Sequence, residues 1–346
     1  MRDNRHIRVL LFAICFLALA DTLVVPTVNR LEAIRYETDT FMRFVASDVF
    51  ELAPIVSYLQ EHPAGPRPRV VFFGNSIVWG YRQSASETVP AEFQRLVPQM
   101  KVFNFGVNGF ETGSIYLTTK AIIDSLDVIC MFHNGSNALP LLANVITLSP
   151  EDASRFGLPS RDPIEHSMEE LMGVWKLYRY SYRLQASLLG ASTRRFVIEQ
   201  LKNVARGNVA SSRRMDAAQA PEAGSFVAQN PSGVWIETGQ SPTLPSADRV
   251  HELKEKHSLL WDYAQLIKDR HKQGLIVEFY AKNPLDPADR SDLNAYFSPN
   301  VRFVRLHVHR HLLQGDALHF TYDGARAVAR AILETFGERN FALRDE

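Results

Sequence analysis

The chain of 346 residues is 46% hydrophobic, enough to bury a large core in one or two domains. Its 38 Lys and Arg residues are balanced by 38 Asp and Glu residues, so no net charge attracts nucleic acid and we expect no nucleic-acid partner. The two cysteines, Cys15 and Cys130, are too few for a disulfide framework and have no metal-type spacing. Composition therefore indicates a globular fold and leaves the function open.

The N-terminus has the pattern of an export or anchoring signal. In segment 9–28, which follows the basic residues Arg2, Arg5 and Arg8, 16 of 20 residues are apolar. This span is long enough to cross about 30 Å of hydrocarbon, and the small residues up to Ala20 also fit a signal-peptide cleavage site. We expect an uncleaved single-pass membrane anchor, with secretion after cleavage near Ala20 as the alternative. Either way, the rest of the chain lies outside the cytoplasm, in the periplasm or the extracellular space.

An amphipathic helical pattern follows from residue 29, and the Pro-rich stretch 62–69 separates it from the main domain. We therefore expect three parts. They are a signal anchor or signal peptide at 1–28, a leading helix with a linker at 29–66, and a main domain at 67–340.

Five short apolar runs indicate the strands of the main domain. The first begins at Val70, and the others are 101–107, 127–133, 275–281 and 301–307. Each run is almost continuously apolar, whereas a half-exposed strand would alternate apolar and polar residues. The runs therefore suit strands that are buried on both faces, as in a parallel sheet.

Helical periodicity fills the intervals between these runs. The predicted helices are 89–98, 113–126, 250–273 with Gly274 as its end, and 321–337. Strand alternating with helix predicts a doubly wound α/β sandwich of about five parallel strands. Residues 141–249 interrupt the alternation with a helical part and then a stretch rich in Gly, Ser, Ala and Pro, which predicts a long loop or disordered insert.

Small polar residues follow three of the predicted strands, where open parallel sheets bind their ligands. The first strand ends at Gly74-Asn75-Ser76, the second runs into a turn, and the third runs into His133-Asn134. Any one such end is explained by the preference of Gly and Asn for turns. Together they give four candidates for contacts with a substrate: Asn75, Asn108, His133 and Asn134.

Asp316 and His319 lie three residues apart, just before the last predicted helix. A carboxylate at this spacing can accept the Nδ1 proton of the ring and direct Nε2 outward, so that His319 acts as a base on the Ser76 hydroxyl. The backbone N–H groups of Ser76 and Gly109 and the side-chain amide of Asn137 would then form an oxyanion hole. The sequence therefore predicts acyl-transfer chemistry through a serine nucleophile.

Three histidines, His307, His309 and His311, alternate in the sequence as metal ligands on one strand do. No Cys, Asp or Glu alternates with them. We expect a strand that runs into a polar loop, no metal site and no other cofactor.

These residues resemble the motifs of the SGNH/GDSL hydrolase family. Gly74-Asn75-Ser76 is similar to its first block, Gly109 to its second-block glycine, 135–137 to its third block, and Asp316-Ala-Leu-His319 to its closing Asp-x-x-His. The similarity covers roughly 70–138 and 275–336. It implies a flavodoxin-like three-layer sandwich.

The resemblance also implies roles for the site residues. Ser76 would be the nucleophile, Gly109 and Asn137 oxyanion donors, Asp316 the orienting carboxylate and His319 the base. Asn75 and Ala138 both stand where the family usually has Asp, although neither change removes a catalytic group. The spacing after Ser76 does not fit the Gly-x-Ser-x-Gly elbow of the α/β-hydrolases.

The sequence therefore predicts a serine esterase that cleaves an O-acyl ester through a Ser76 acyl-enzyme. The expected external location and the resemblance to the family together imply that the ester is on an envelope or extracellular carbohydrate. A first alternative is an O-acyltransferase of an exopolysaccharide or cell-envelope glycan, working with a membrane acyltransferase that exports acyl groups. A second alternative is a glycan-binding or assembly protein without catalytic activity. The expected partners are the acyl ester, small or glycan-borne, and the membrane.

Overall fold

The structure is a computed structural model, and it describes residues 5–38, 58–59, 62, 65–107, 111–133, 233–239, 243–279 and 284–337. The chain divides into two compact units, one formed by residues 1–39 and 148–209 and the other by 40–147 and 210–346. Most of the predicted insert, including its aromatic-rich helical part, lies outside the described residues.

The described part of the first unit is helix α1 (Arg5–Thr38), which contains Pro26. Its segment Val9–Val28 has a mean hydropathy of 2.4 and is long and apolar enough to span a membrane or to serve as a signal sequence. The expected N-terminal apolar helix is therefore confirmed. The helix continues past the predicted boundary at residue 28 as far as Thr38, so the leading helical pattern starts as a continuation of α1.

The second unit is built on a six-stranded, mostly parallel sheet. Its strands are β1 (Arg69–Gly74), β2 (Lys101–Gly106), β3 (Val128–His133), β4 (Val234–Thr238), β5 (Gln273–Glu278) and β6 (Val301–Val308). The order is β2-β1-β3-β5-β6-β4, with all neighbours parallel except β4, which is antiparallel to β6. The predicted α/β fold with five parallel strands is confirmed, with one antiparallel strand added.

Seven helices are described in the second unit. They are α2 (Ser76–Trp79), α3 (Val89–Leu96), α4 (Thr112–Ile122), α5 (Ala247–Lys256), α6 (Ser258–Asp269), α7 (Pro287–Phe297) and α8 (Tyr322–Phe336). Side-chain hydrogen bonds cap the N-termini of several of these helices. The Thr88 hydroxyl accepts a hydrogen bond from the Ala91 N–H at the start of α3, and the Thr321 hydroxyl accepts one from the Gly324 N–H at the start of α8.

The core explains why the strands are apolar throughout. Val70 and Phe72 of β1 pack in one buried cluster with Phe93 of α3 and Val328 of α8. The alternate residue Phe73 is also fully buried and stacks on another buried ring. Because successive side chains of a strand point to opposite faces, both faces of β1 are covered.

Three sequence predictions are wrong in detail. Strand β4 lies in the stretch predicted as loop, where the β-branched residues Val234, Ile236 and Thr238 pair with β6. The helix predicted over 250–273 is two helices that meet at His257. Gly274 does not end a helix but is the second residue of β5.

Candidate active site

The end of β1 holds Ser76 in a tight turn. The Asn75 side-chain oxygen accepts a hydrogen bond from the Ile77 N–H at 3.0 Å, which caps α2 and makes Ser76 its first residue. Asn75 thus has a structural contact, and its predicted contact with substrate stays a prediction. A Cβ added at Gly106 would lie 2.2 Å from the Trp79 nitrogen, so only glycine lets the end of β2 approach α2 this closely.

Three side chains meet at this turn. The Ser76 Oγ lies 2.8 Å from His319 Nε2, and His319 Nδ1 lies 2.8 Å from Asp316 Oδ2. An ionised carboxylate only accepts hydrogen bonds, so it assigns the ring proton to Nδ1 and leaves Nε2 to accept the proton of the Ser76 hydroxyl. The structure therefore brings together the serine, histidine and aspartate that the sequence predicts as a triad.

Asp316 is held by its own loop. Its Oδ1 accepts hydrogen bonds from the N–H groups of Leu318 at 3.0 Å and His319 at 3.1 Å, and the intervening Ala317 has a left-handed φ of 61°. Partial burial alone would raise the pKa of the Asp316 carboxyl. The hydrogen bonds from the His319 and Leu318 N–H groups and from the His319 ring outweigh burial and lower its pKa to about 2. The carboxylate is therefore charged at every ordinary pH.

Two glutamines bind the loop of His319 to the turn of Ser76. The Gln314 amide donates to the carbonyl oxygens of Tyr81 and Phe320, both at 2.8 Å. In the opposite direction, the Gln83 amide donates to the carbonyl oxygens of Phe320 at 3.0 Å and Thr321 at 3.1 Å. We call Gln83 and Gln314 the glutamine clasp, because together they fix the distance between the two loops.

The ring of Tyr81 packs against that of His319, with centroids 4.7 Å apart. His319 is 9% exposed, whereas Ser76 and Asp316 are partly open to solvent. The hydroxyl is therefore accessible while the base is shielded on one side. Sequence reasoning missed both the clasp and Tyr81, since neither belongs to a motif and the contacts that join the two loops span more than 200 residues.

The predicted oxyanion hole is described only in part. Among the residues that the structure describes, none accepts a hydrogen bond from the Ser76 N–H. Gly109 and Asn137 lie outside the described residues, as do the candidate substrate contacts Asn108 and Asn134. Their roles stay predictions.

His133 ends β3 with a buried side chain that is bonded to the protein itself. It is 4% exposed, and its Nδ1 lies 2.9 Å from the Thr112 hydroxyl. Burial, with a smaller effect of the nearby His257, lowers the pKa of His133 to about 4, so the ring is neutral at physiological pH. Its predicted substrate contact stays a prediction, but its hydrogen bond gives it a packing role.

The three alternating histidines do not share one strand. His307 lies in β6, His309 follows the end of that strand, and His311 lies in a short 3-10 turn. This confirms a strand that runs into a polar loop. Within the described ranges, no group of three or more His, Cys, Asp or Glu side chains is placed to hold a metal ion.

No protein-family model and no curated protein matches this chain. Its function is therefore inferred from the residues of the site and from their geometry.

Proposed function

We propose that the protein is a serine-dependent O-acyl ester hydrolase of the SGNH type. The observation that carries this proposal is the unbroken chain of hydrogen bonds from the Ser76 hydroxyl through His319 to Asp316. A base within 2.8 Å of a serine hydroxyl, itself oriented by a carboxylate, is the arrangement that makes serine a nucleophile.

The first half of the reaction forms an acyl-enzyme. Ser76 Oγ attacks the acyl carbonyl carbon while His319 Nε2 takes the hydroxyl proton, and Asp316 stabilises the resulting imidazolium. The oxyanion accepts hydrogen bonds from the Ser76 N–H and, in the proposed complete site, from Gly109 and Asn137. His319 then gives its proton to the leaving alcohol oxygen as the C–O ester bond breaks.

In the second half, water replaces the alcohol. His319 takes a proton from the water, the resulting hydroxide attacks the acyl carbon, and the bond to Ser76 Oγ breaks as His319 returns the proton to that oxygen. A carboxylic acid leaves and the free site is restored. No cofactor is needed for either half.

Sheet topology supports the proposed family. With β4 set aside, the parallel strands are ordered β2-β1-β3-β5-β6, which is the flavodoxin-type order 2-1-3-4-5 of successive parallel strands. Ser76 follows β1, beside the point where this order reverses. We propose on this basis a flavodoxin-like three-layer sandwich.

The apolar segment of α1 supports the proposed location. We propose that it anchors the chain in the cell membrane, with the second unit outside the cytoplasm, where acylated envelope or extracellular glycans are the accessible esters. The membrane and an acylated carbohydrate are then the partners.

The full chain in detergent tests this proposal. We expect it to hydrolyse p-nitrophenyl acetate and to react with a fluorophosphonate probe, and Ser76→Ala to lose both. Labelling that persists in Ser76→Ala would rule out Ser76 as the nucleophile. Acyl transfer that requires an added sugar acceptor would identify an acyltransferase, and a folded chain with neither activity would favour a binding protein.

A further inference from the structure

A pocket of about 330 Å³ adjoins the candidate active site but contains none of its three residues. Its wall includes Trp235, Glu278, Phe279, Pro284, Arg305 and His307. The ring centroid of Phe279 lies 4.9 Å from that of Phe320, the residue after His319, so one wall of the pocket packs on the loop that carries the base. The pocket lies where β5 ends, on the side of the sheet where ligands of such folds bind.

One wall is an aromatic surface held in a fixed position. Trp235 of β4 and His307 of β6 are paired in register, and their rings stack with centroids 4.7 Å apart and planes 5° apart. His307 Nε2 also lies 3.1 Å from a carboxylate oxygen of Glu237, two residues along β4. The Trp235 indole is therefore positioned without a ligand by the pairing of β4 with β6, by its stacking on His307 and by the contact of His307 with Glu237.

Among the described residues, charges of both signs lie around the pocket. The buried Glu278 accepts from the Leu285 N–H at 2.7 Å and pairs with the buried Arg290 at 3.4 Å, and Arg290 pairs in turn with Glu237. Arg305 adds a second positive charge against these two carboxylates. A ligand in the pocket thus meets charges of both signs, an environment that does not favour an isolated ion.

Arg305 is the polar group best placed to receive a ligand. It lines the pocket and is only partly buried, and among the described residues its guanidinium makes no hydrogen bond or ion pair. It offers five N–H donors in a planar fork. A ligand with hydroxyl oxygens would use these donors, and its own hydroxyl protons would find acceptors in the neighbouring carboxylates.

We propose that this pocket binds a neutral, hydroxyl-rich ring, namely a sugar residue of the glycan that carries the ester. Hydroxyl groups both donate and accept hydrogen bonds, which suits a pocket that offers the donors of Arg305 beside carboxylate acceptors. The C–H face of a pyranose ring can pack on the indole of Trp235. The inference rests on the proposed function in one respect only, since that function makes the sugar the carrier of the acyl group.

Binding can be tested without turnover by using full-length Ser76→Ala in detergent. The probes are unacylated neutral oligosaccharides, namely cello-, chito- and manno-oligosaccharides, and an acidic oligogalacturonate, titrated by calorimetry. We expect saturable binding of at least one neutral probe. Arg305→Met, added to Ser76→Ala, should weaken that binding about tenfold or more, since it removes the donors and keeps the aliphatic stem. Arg326→Ala, an exposed arginine of α8 outside the pocket, is the matched control and should bind as the parent does.

Trp235→Leu tests the aromatic surface, and Trp235→Phe should restore part of the affinity. If circular dichroism shows that Trp235→Leu does not fold, the Arg305→Met variant, at a partly buried position, decides the question. The proposal is overturned if no neutral probe binds, if Arg305→Met binds as well as its parent, or if the acidic probe binds better than every neutral one.

Failure of the proposed function would appear in a different measurement. If the wild-type chain neither reacts with fluorophosphonate nor hydrolyses p-nitrophenyl acetate, the proposed esterase activity is wrong. Saturable sugar binding that depends on Arg305 would still support the proposed sugar site. If the chain is an active esterase but binds no neutral oligosaccharide, the proposed sugar site is wrong and the proposed esterase activity stands.

Discussion

His319 Nε2 lies 2.8 Å from Ser76 Oγ although 243 positions separate the two residues in the chain. Their loops follow β6 and β1, which are separated in the sheet by β3 and β5. The approach therefore depends on contacts between the two loops themselves, and these contacts give the most direct tests of the site.

We expect unequal losses of activity from the two partners of Ser76. His319→Ala removes the base, so kcat for p-nitrophenyl acetate should fall by about 10⁴-fold or more. Asp316→Asn should lose about 10²- to 10⁴-fold, because the amide oxygen can still accept from the Leu318 and His319 N–H groups but the imidazolium loses its counter-charge. Steady-state kinetics on folded variants measures both. Full activity in His319→Ala would contradict the assignment of the base.

Loss of the hydrogen bonds of the glutamine clasp should lower kcat. Gln314→Met keeps the length of the side chain but loses both hydrogen bonds to Tyr81 and Phe320. We expect kcat to fall about 10- to 100-fold with little change in KM, since a misaligned base impairs the chemical step and leaves substrate binding intact.

Gln265→Met is the matched control for the clasp, because the Gln265 amide makes an exposed hydrogen bond to Asp269 in the same helix, α6, and does not contact either loop of the site among the described residues. Its kinetics should equal those of the wild type. Equal kcat values for the Gln314→Met and Gln265→Met variants would show that the clasp does not align the site.

Gly106→Ala should displace the turn that carries Ser76. The new Cβ would meet the Trp79 backbone nitrogen at 2.2 Å, and backbone does not move aside as a flexible side chain does. We expect a loss of roughly 1 to 3 kcal/mol in the free energy of unfolding, together with slower fluorophosphonate labelling. Gly315→Ala is the control, since a Cβ there has nothing within 4 Å, and urea titration compares the two. A Gly106→Ala variant as stable as Gly315→Ala would contradict the close approach.

His133 should make the fold less stable in mild acid. The unfolded chain takes up a proton on this residue near pH 6.5, whereas the folded chain does so only near pH 4. Between these values the unfolded state binds more protons, so stability falls as the pH drops from about 7 to 4.5, by roughly 2 kcal/mol from this group. Urea unfolding of the wild type and of His133→Gln at both pH values isolates this contribution.

His251→Gln, which changes an exposed histidine of α5, serves as the comparison for His133. We expect the stability of His133→Gln to fall less between pH 7 and pH 4.5 than that of the wild type and of His251→Gln. If the stability of His133→Gln falls with pH as steeply as that of the wild type, the His133 ring takes up its proton at the same pH in the folded and unfolded states, and the prediction is wrong.

The sequence is sufficient to predict the features that depend on local chemistry. The parallel strands could be located because burial on both faces requires continuous apolar runs, and Ser76, Asp316 and His319 could be named because their chemistry requires those residue types. Strand β4 was missed because an edge strand of five residues is stabilised by its pairing with β6, and that pairing has no local signature. Helix α7, which the helical periodicity did not predict, does have a local signature, because Asp286 caps it and Pro287 is its first residue.

The clasp could not be predicted from any spacing rule. Gln83 and Gln314 are polar residues in turns, and their importance comes from carbonyl groups that only the folded chain brings within reach. The same holds for the pocket, whose Trp235, Glu278 and Arg305 come from three different strands or strand ends.

The side-chain amides of Gln83 and Gln314 donate to main-chain oxygens, so these hydrogen bonds themselves do not depend on which side chains stand at positions 81, 320 and 321. Those side chains have other contacts, because the Tyr81 ring packs on His319 and the Thr321 hydroxyl caps α8. A substitution at these positions therefore changes the packing around the base while the main-chain acceptors of the clasp remain in place.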